Sequence, residues 1–394
     1  MTNPEISSVS LPTSNFQLPP LVWAEINLDY LRRNLRIIRS RLKTRRVEVL
    51  AVVKADAYGH GMRAVAETLA GEGVRFFGVA SLDEALELRT ICPKARILVL
   101  GGLHKDQAPY FVKERITPTI FSLEDVSHLE KALKKQSAPF PVHVKIDTGM
   151  GRLGVWHKEA LTFFKQLKKN KSILVEGVYT HFARADHADK NFTEEQLAIF
   201  EDLIEEIKEL GLTPKYFHAA NSLGLVRFKH SHLNLVRPGI ILYGINPMPS
   251  EKLPSGIRPI LSLKTFISFL KDVEKGRAVS YGGTYVAPHP TRIATLPVGY
   301  SHGYRVAFSN KAFVVVRGRK CPVVGRVTMD QTLVDVGELS SVRRWDEVTL
   351  IGKEGKTEVQ AEDLAGLIGS IPYEIVCAIH SRIPRICKGL RSRD

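Results

Sequence analysis

The sequence predicts an α/β protein with an N-terminal (β/α)₈ barrel of the TIM type, followed by a mainly β C-terminal domain. From Val47 to about Ile241, short apolar runs rich in β-branched residues alternate with longer stretches of helical periodicity. After about Met248 a loop with several prolines ends this alternation, and apolar runs then follow one another without long helices between them. With 394 residues the chain also exceeds the usual size of one compact core, which indicates two domains.

The predicted barrel consists of eight strands, each followed by a turn and most by an amphipathic stretch. The strands are predicted at residues 47–53, 76–80, 97–100, 117–120, 142–146, 175–180, 216–219 and 233–236. Clear helical stretches between them are 62–70, 82–89, 123–135 and 193–210.

The C-terminal domain is predicted from a series of apolar runs that are typical of β structure. These strands are predicted at residues 261–270, 292–296, 312–316, 321–324, 332–336 and 347–351, with two short helices at 361–367 and 373–379. We therefore divide the chain into a flexible tail (1–20), a barrel domain (21–256) and a mainly β domain (257–394).

Composition excludes several classes of protein. No apolar run reaches the roughly 18 residues of a membrane span, and residues 1–20 lack the basic flank and apolar segment of a secretory signal. The four cysteines are scattered, without a C-x-x-C pair or a histidine at zinc-ligand spacing, so neither a disulfide framework nor a metal site is predicted. We expect a cytoplasmic protein that does not associate with membranes.

The net charge of +15 raises the question of a nucleic-acid partner. The basic residues fall in short patches, without the interleaved aromatic residues or the known modules of nucleic-acid-binding proteins. We therefore predict no nucleic-acid partner and interpret most of these patches as solvated surface. Steering of anionic ligands remains an alternative for a minority of them.

Polar side chains lie at or just past the ends of several predicted barrel strands, at the rim where barrel enzymes carry their chemistry. They are Lys54, Lys145, His181, His218 and Arg237. A single lysine or arginine at a strand end is most often solvated or held in a salt bridge. Several of them converging on one rim indicate a functional site.

The motifs around these residues resemble those of the bacterial alanine racemases, a family of pyridoxal-phosphate enzymes of fold type III. The resemblance extends from about Trp23 to about Arg385. It rests on WAEI (23–26), KADAYGHG (54–61), DTGMGRLG (147–154), YTHFA (179–183), HAANS (218–222), RPG (237–239), VSYGGTY (279–285), VGR (324–326) and MDQ (329–331).

The resemblance implies that the protein interconverts L-alanine and D-alanine with two bases, and so supplies D-alanine for peptidoglycan. Lys54 would hold pyridoxal phosphate as a Schiff base and act on one face of the substrate, and Tyr281 would act on the other. Because Tyr281 lies in the predicted β domain, it would reach the barrel of a second subunit, so a head-to-tail homodimer with shared active sites is expected. By itself, Tyr281 would be read as a surface tyrosine.

The resemblance also implies the remaining contacts. Arg152, with the backbone amide of Met329, would bind the substrate carboxylate, and Lys145 occupies the position of a lysine that is carbamylated in many family members. Arg237 would face the pyridine nitrogen and restrain side reactions, and Ser222 would bind phosphate unless it is only a helix N-cap. The full set of implied cofactor-binding residues is Lys54, Tyr58, His181, Asn221, Ser222, Arg237, Gly239, Ile240 and Tyr373.

Two departures from the family pattern affect the expected substrate entrance. Ser301 and His302 stand where the family commonly has alanine and aspartate, and Thr328 replaces a common cysteine. They bear on substrate preference more than on the type of reaction. A broader amino-acid racemase, a non-catalytic pyridoxal-phosphate barrel and a fold-type-III decarboxylase are the alternatives, and the motif around Tyr281 argues against all three.

Overall fold

The structure is a computed structural model and describes residues 19–133 and 138–390. Residues 1–18 of the predicted N-terminal tail lie outside the described residues, as do the last two residues of the predicted helix 123–135. Among the described helices, none is both long and apolar enough to cross a membrane.

The first half of the chain alternates strands and helices, as the sequence predicts. Its strands are β1 (Val22–Asn27), β2 (Glu48–Val52), β3 (Phe76–Val79), β4 (Arg96–Val99), β5 (Thr117–Ile120), β6 (Phe140–Asp147), β7 (Val155–Trp156), β8 (Ile173–Tyr179), β9 (Tyr216–His218) and β10 (Leu235–Val236). Its helices are α1 (Leu28–Arg41), α2 (Lys54–Gly59), α3 (Met62–Gly71), α4 (Leu82–Ile91), α5 (Ala108–Lys113), α6 (Leu123–Leu133), α7 (His157–Leu167), α8 (Asn191–Glu209) and α9 (Ser222–Arg227).

Eight of these strands form one sheet in the order β10-β2-β3-β4-β5-β6-β8-β9, with β7 added beside β6. All of the pairings in this sheet are parallel. The sheet curves until its ends meet, where the Arg237 amide donates to the Ala220 carbonyl at 2.9 Å. The predicted eight-stranded barrel is confirmed, and its carboxyl ends form the expected rim.

The second half is mainly β, also as predicted. Its strands are β11 (Leu261–Phe266), β12 (Phe269–Val273), β13 (Ala278–Val279), β14 (Tyr285–Val286), β15 (Thr291–Leu296), β16 (Phe313–Val316), β17 (Arg319–Pro322), β18 (Thr332–Asp335), β19 (Glu347–Glu354), β20 (Thr357–Val359) and β21 (Arg385–Lys388). Two short helices, α10 (Ala361–Leu367) and α11 (Pro372–Cys377), precede β21.

The main sheet of the second half includes a strand from the start of the chain. Strand β1 lies between β11, which is antiparallel to it, and β21, which is parallel. The single predicted strand 261–270 is divided into β11 and β12, which belong to different sheets. The boundary between the two domains at residues 256–257 stays a prediction. Residues 22–27 precede this boundary in sequence but pair with strands that follow it.

Candidate active site

A cavity of about 550 Å³ opens at the carboxyl-terminal rim of the barrel. Most of the predicted site residues line it, and they come from five strand ends and from α11. They are Lys54, Tyr58, Lys145, Arg152, His181, Asn221, Ser222, Arg237, Gly239 and Tyr373. Three predicted residues do not line it, namely Ile240, Tyr281 and Met329.

Lys54 begins a left-handed turn immediately after β2. Residues 55–58 all have φ between 52° and 56°, although none of them is glycine. Left-handed backbone costs roughly 1–2 kcal/mol per L-residue, so this turn needs external support. Glu84 accepts the Ala55 amide at 2.7 Å, and the buried ring of His60 contacts the carbonyl oxygens of Ala57 and Tyr58 through Nδ1.

The Lys54 amine lies in an environment that favours its neutral form. Burial lowers its pKa, and the nearby Arg152 guanidinium lowers it further. Glu84 opposes the shift but does not cancel it. A neutral amine is the form that attacks an aldehyde and accepts a proton, so Lys54 has the properties of both a nucleophile and a base.

Ser222, Gly239 and Tyr58 form a polar recess at the last strand ends. The Ser222 hydroxyl accepts the Gly239 amide at 2.9 Å, and a Cβ on Gly239 would lie only 2.5 Å from the Tyr58 hydroxyl. The N-cap of α9 is Asn221, whose side chain accepts the Gly224 amide, so Ser222 is not needed as a cap. A hydroxyl-rich recess that requires glycine is suited to phosphate oxygens.

The Arg237 side chain is buried, lines the cavity and is held by several acceptors. Its Nη1 lies 2.9 Å from His218 Nδ1, and its Nη2 donates to the carbonyl oxygens of Thr180 and Ala219. Burial lowers its pKa to about 10. No carboxylate pairs directly with it among the described residues, so the alternative of a rim salt bridge finds no support there.

His181 contacts the same guanidinium, with its Nδ1 3.3 Å from Arg237 Nη2. Burial and the cation of Arg237 lower the pKa of His181 well below its usual value, so the imidazole is neutral. Because arginine only donates, His181 Nδ1 accepts and its proton resides on Nε2. His181 can therefore donate a hydrogen bond from Nε2.

Arg152 is presented by a loop that is organised around one carboxylate. Asp147 at the end of β6 accepts the backbone amides of Gly149, Met150, Gly151 and Arg152. Burial alone would raise the pKa of Asp147, but these four donors lower it. This role of Asp147 is not among the roles predicted from the sequence, where Asp147 appears only within a motif, although the glycines of DTGMGRLG signal a loop of this kind.

Lys145 is buried and lines the same cavity as Arg152, with its Nζ 5.7 Å from the centre of the Tyr179 ring. Burial lowers its pKa to about 8, and the cations of Arg152, Arg237 and Lys54 contribute in the same direction. Tyr179 thus lies beneath two cations, since the Arg237 guanidinium carbon is 5.1 Å from the same ring. The sequence analysis did not single out Tyr179, although it is the last residue of β8.

Tyr281 and Met329 lie on the surface of the β domain of the same chain. Tyr281 is 70% exposed and Met329 is 54% exposed. Tyr281 follows Ser280, which has a φ of 63° and donates from its hydroxyl to the Arg326 carbonyl at 2.6 Å. The turn that carries Tyr281 is thus fixed to the segment that leads to Met329. The single chain does not bring these two residues to the barrel cavity.

The entrance residues that depart from the family pattern are bonded to the same segment. The Ser301 hydroxyl donates to Asp330 at 2.7 Å, and the Ser301 amide donates to the Met329 carbonyl at 3.0 Å. The Thr328 hydroxyl donates to the Gln331 carbonyl, and the Tyr300 amide donates to the Thr328 carbonyl. Ser301 and Thr328 therefore belong to the same hydrogen-bonded segment as Met329.

Comparisons with known proteins agree with this architecture. Residues 26–247 match the alanine racemase N-terminal domain, and residues 260–387 match the alanine racemase C-terminal domain. An alanine racemase from Halothermothrix orenii is 42% identical over 363 residues, covering 92% of this chain and 96% of the relative.

Two solved structures have the same fold over nearly the whole chain. The alanine racemase of Bacillus anthracis with bound L-Ala-P has a TM-score of 0.88 and 36% identity, covering 94% of this chain and 96% of that one. The alanine racemase of Bartonella henselae with covalently bound pyridoxal phosphate has a TM-score of 0.85 and 28% identity, covering 94% and 100%. The resemblance noted in the sequence is confirmed, and the chain belongs to the alanine racemase family.

Proposed function

We propose that this protein interconverts L-alanine and D-alanine on pyridoxal phosphate as a homodimer, with Lys54 and Tyr281 acting as bases on opposite faces of the substrate. The observation that carries the proposal is the single cavity at the barrel rim. It combines a lysine of lowered pKa, a buried arginine and a glycine-dependent polar recess.

The residues of this cavity fit pyridoxal phosphate. The recess of Ser222, Gly239 and Tyr58 suits its phosphate, Lys54 suits its aldehyde, and Arg237 suits its pyridine nitrogen. We assign phosphate contacts also to Tyr373, whose ring centre lies 6.0 Å from that of Tyr58, and to the backbone of Ile240. When bound, the cofactor supplies an electron sink that makes the Cα hydrogen of an amino acid acidic.

Arg237 limits how strong that sink becomes. A guanidinium retains its proton at neutral pH, so Arg237 would donate a hydrogen bond to the pyridine nitrogen without protonating it. This restraint disfavours transamination, in which a proton is added elsewhere than at Cα. The several acceptors around Arg237 keep its donor groups in a fixed position.

Lys54 and Tyr281 divide the proton transfers between two faces. The neutral Lys54 amine accepts a proton from one face of Cα and returns it there. Tyr281 serves the opposite face, and because it is 70% exposed in one chain, we assign it to the cavity of the partner subunit. His181, with its proton on Nε2, is suited to donate toward that position.

Arg152 binds the substrate carboxylate, with the backbone amide of Met329 from the partner subunit. Lys145 lies among the cations of Arg152, Arg237 and Lys54, which repel it. Carbamylation would convert Lys145 into an anion and turn this repulsion into attraction toward Arg152. The pKa of about 8 supports this modification, since the neutral amine is the form that reacts with carbon dioxide.

We also assign the protein to the cytoplasm, where D-alanine is needed for peptidoglycan precursors. All four cysteines are free thiols in the structure, namely Cys92, Cys321, Cys377 and Cys387. Free thiols are typical of a reducing compartment and therefore support this location.

The experiment that tests the proposal is a racemisation assay of the purified protein with added pyridoxal phosphate. L-alanine is the substrate and a D-amino-acid oxidase provides the readout, with L-serine and L-lysine in parallel and Lys54→Ala as the inactive control. We expect D-alanine to form fastest and to require Lys54. Absence of D-alanine from a dimeric, cofactor-bound preparation would contradict the proposal.

A further inference from the structure

A chain of buried polar side chains runs from Arg237 down the inside of the barrel. His218 Nδ1 lies 2.9 Å from Arg237 Nη1, and His218 Nε2 lies 2.9 Å from His143 Nδ1. The two imidazoles are 0% exposed. His143 is on β6 and His218 ends β9, and β8 lies between these two strands in the barrel sheet.

The chain ends at a carboxylate near the opposite mouth of the barrel. His143 Nε2 faces Glu176 Oε2 at 3.5 Å without forming a hydrogen bond, and it has no hydrogen-bond partner among the described residues. The other oxygen of Glu176 accepts from Arg96 Nη2 at 2.9 Å. Glu176 is therefore the negatively charged residue at the end of this series of buried side chains.

The donors and acceptors of this chain have one consistent order. Arginine only donates, so His218 Nδ1 accepts from Arg237 and the neutral His218 carries its proton on Nε2. That proton is directed at His143 Nδ1, so His143 in turn carries its proton on Nε2, facing Glu176. Burial lowers the pKa of both histidines, which agrees with two neutral rings.

The surrounding residues leave room for these rings and fix their planes. A Cβ on Gly177 would lie within 2.7 Å of three atoms of the His143 ring, so the residue beside Glu176 must be glycine. The Tyr179 ring stacks on His218 at 4.6 Å between centroids, with an interplanar angle of 10°. Rings that are enclosed in this way cannot turn over without rearranging the barrel core.

We propose that His218, His143 and Glu176 form a relay that fixes the proton positions beneath Arg237, with Glu176 acting as a remote positioning residue for the reaction. This inference rests on the role proposed above for Arg237 at the pyridine nitrogen. Glu176 orders the two imidazoles so that His218 presents a lone pair to Arg237. The guanidinium is thereby held in one orientation at the cavity that it lines.

Glu176→Gln changes this order without a large change of shape. The carboxylate presents an acceptor oxygen on each side, Oε2 facing His143 and Oε1 accepting from Arg96, whereas an amide accepts on one side only. If the amide oxygen keeps its contact with Arg96, its NH₂ group faces His143 and favours the other tautomer of His143. His218 then also changes its tautomer, so that its Nδ1 carries a proton. This N–H group faces the N–H groups of Arg237, and no hydrogen bond can form between them.

The first measurement is ¹⁵N NMR of histidine-labelled, cofactor-free protein, with His143 and His218 assigned through single substitutions. We expect both wild-type rings to be neutral with the proton on Nε2 between pH 6 and 8. Either ring with its proton on Nδ1 in the wild type would overturn the relay. This readout needs neither bound cofactor nor activity, so it stands even if the proposed function fails or Glu176→Gln does not fold.

The second measurement compares Glu176→Gln with Glu48→Gln. Glu48 lies at the same mouth of the barrel and accepts from Tyr216, which contacts Arg96, but it lies outside the relay. In Glu176→Gln we expect an Nδ1–H population at His143 or His218, and transamination per turnover raised about tenfold with KM unchanged. Wild-type tautomers and wild-type transamination in Glu176→Gln would overturn the relay, and so would equal effects in the two variants.

Discussion

The Tyr58 hydroxyl lies 2.5 Å from the position that a Cβ would occupy on Gly239. This distance is shorter than any ordinary contact, so residue 239 must lack a side chain for Tyr58 to reach the recess. In Gly239→Ala the Tyr58 hydroxyl has to move. We expect pyridoxal phosphate to bind about tenfold or more weakly, because overpacking costs roughly 1–3 kcal/mol.

The measurement is a titration of cofactor-free protein with pyridoxal phosphate. Gly366→Ala is the matched control, because it adds the same methyl group in α10 where no atom lies within 4 Å. Unchanged affinity in Gly239→Ala would contradict the assignment of this recess to phosphate.

Tyr281→Phe should affect the two faces of the substrate unequally. L-alanine and D-alanine have equal free energy, so net racemisation must slow equally in both directions. Exchange of the Cα hydrogen with solvent, measured separately for each enantiomer, distinguishes the base on one face from the base on the other. In D₂O we expect loss of the Cα hydrogen from L-alanine to fall by about 10²–10⁴-fold, the usual contribution of a general base. Loss from D-alanine, assigned to Lys54, should fall less.

Tyr285→Phe is the control for this experiment. It removes a hydroxyl from the same region of the β domain, where Tyr285 donates to Asp335 at 3.0 Å. We expect wild-type exchange from both enantiomers. Equal and small losses for the two enantiomers in Tyr281→Phe would argue against a face-specific base.

Lys145 should become carbamylated as the pH rises through about 8, the value to which burial and neighbouring cations lower its pKa. Only the neutral amine reacts, and the product releases a proton, so the modification increases with pH. The measurement is ¹³C NMR with ¹³C-bicarbonate at pH 6 and pH 9. We expect a carbamate signal at pH 9 that is absent from Lys145→Ala and present in the surface variant Lys168→Ala. A wild-type spectrum identical to that of Lys145→Ala would refute the modification.

His60 should make the folded protein sensitive to acid. Its Nδ1 contacts two carbonyl oxygens, and burial lowers its pKa to about 4. The unfolded chain binds a proton near pH 6.5 while the folded chain does not, so this contribution is complete above pH 6.5. It is lost as the pH falls from 6.5 toward 4, on the order of 3 kcal/mol in total.

The check is the urea midpoint of cofactor-free protein at pH 7 and pH 5. His60→Asn keeps a donor for the two carbonyl oxygens and does not titrate, so its midpoint should change less with pH than that of the wild type. His104→Asn replaces an exposed histidine and should behave like the wild type. The same pH dependence in His60→Asn as in the wild type would show that His60 does not carry the effect.

Much of the barrel and its rim was predictable, because strand ends in a parallel barrel meet at one edge. The residues after the predicted strands, such as Lys54, His181 and Arg237, therefore fell into one cavity as expected. The short strand β1 was not predicted, since it is stabilised by pairing with residues more than 230 positions away. Sequence periodicity carries no information about such distant partners.

Other features depend on atomic contacts that no local pattern encodes. The left-handed turn of residues 55–58 contains no glycine, and its conformation is imposed by Glu84 and His60. The contact between His143 and His218 arises because two strands that are far apart in sequence direct both rings into the barrel interior.

In the proposed homodimer, each active site takes Lys54 from one chain and Tyr281 from the other. The most direct test is a purified heterodimer of a Lys54→Ala chain and a Tyr281→Phe chain, carrying different affinity tags. If the sites are shared, one of the two sites in this heterodimer combines the native Lys54 with the native Tyr281, and the other has both residues replaced. We therefore expect about half of the wild-type activity. A wild-type chain paired with a Lys54→Ala/Tyr281→Phe chain should be inactive. The reverse result, an inactive first heterodimer and a half-active second one, would contradict the account.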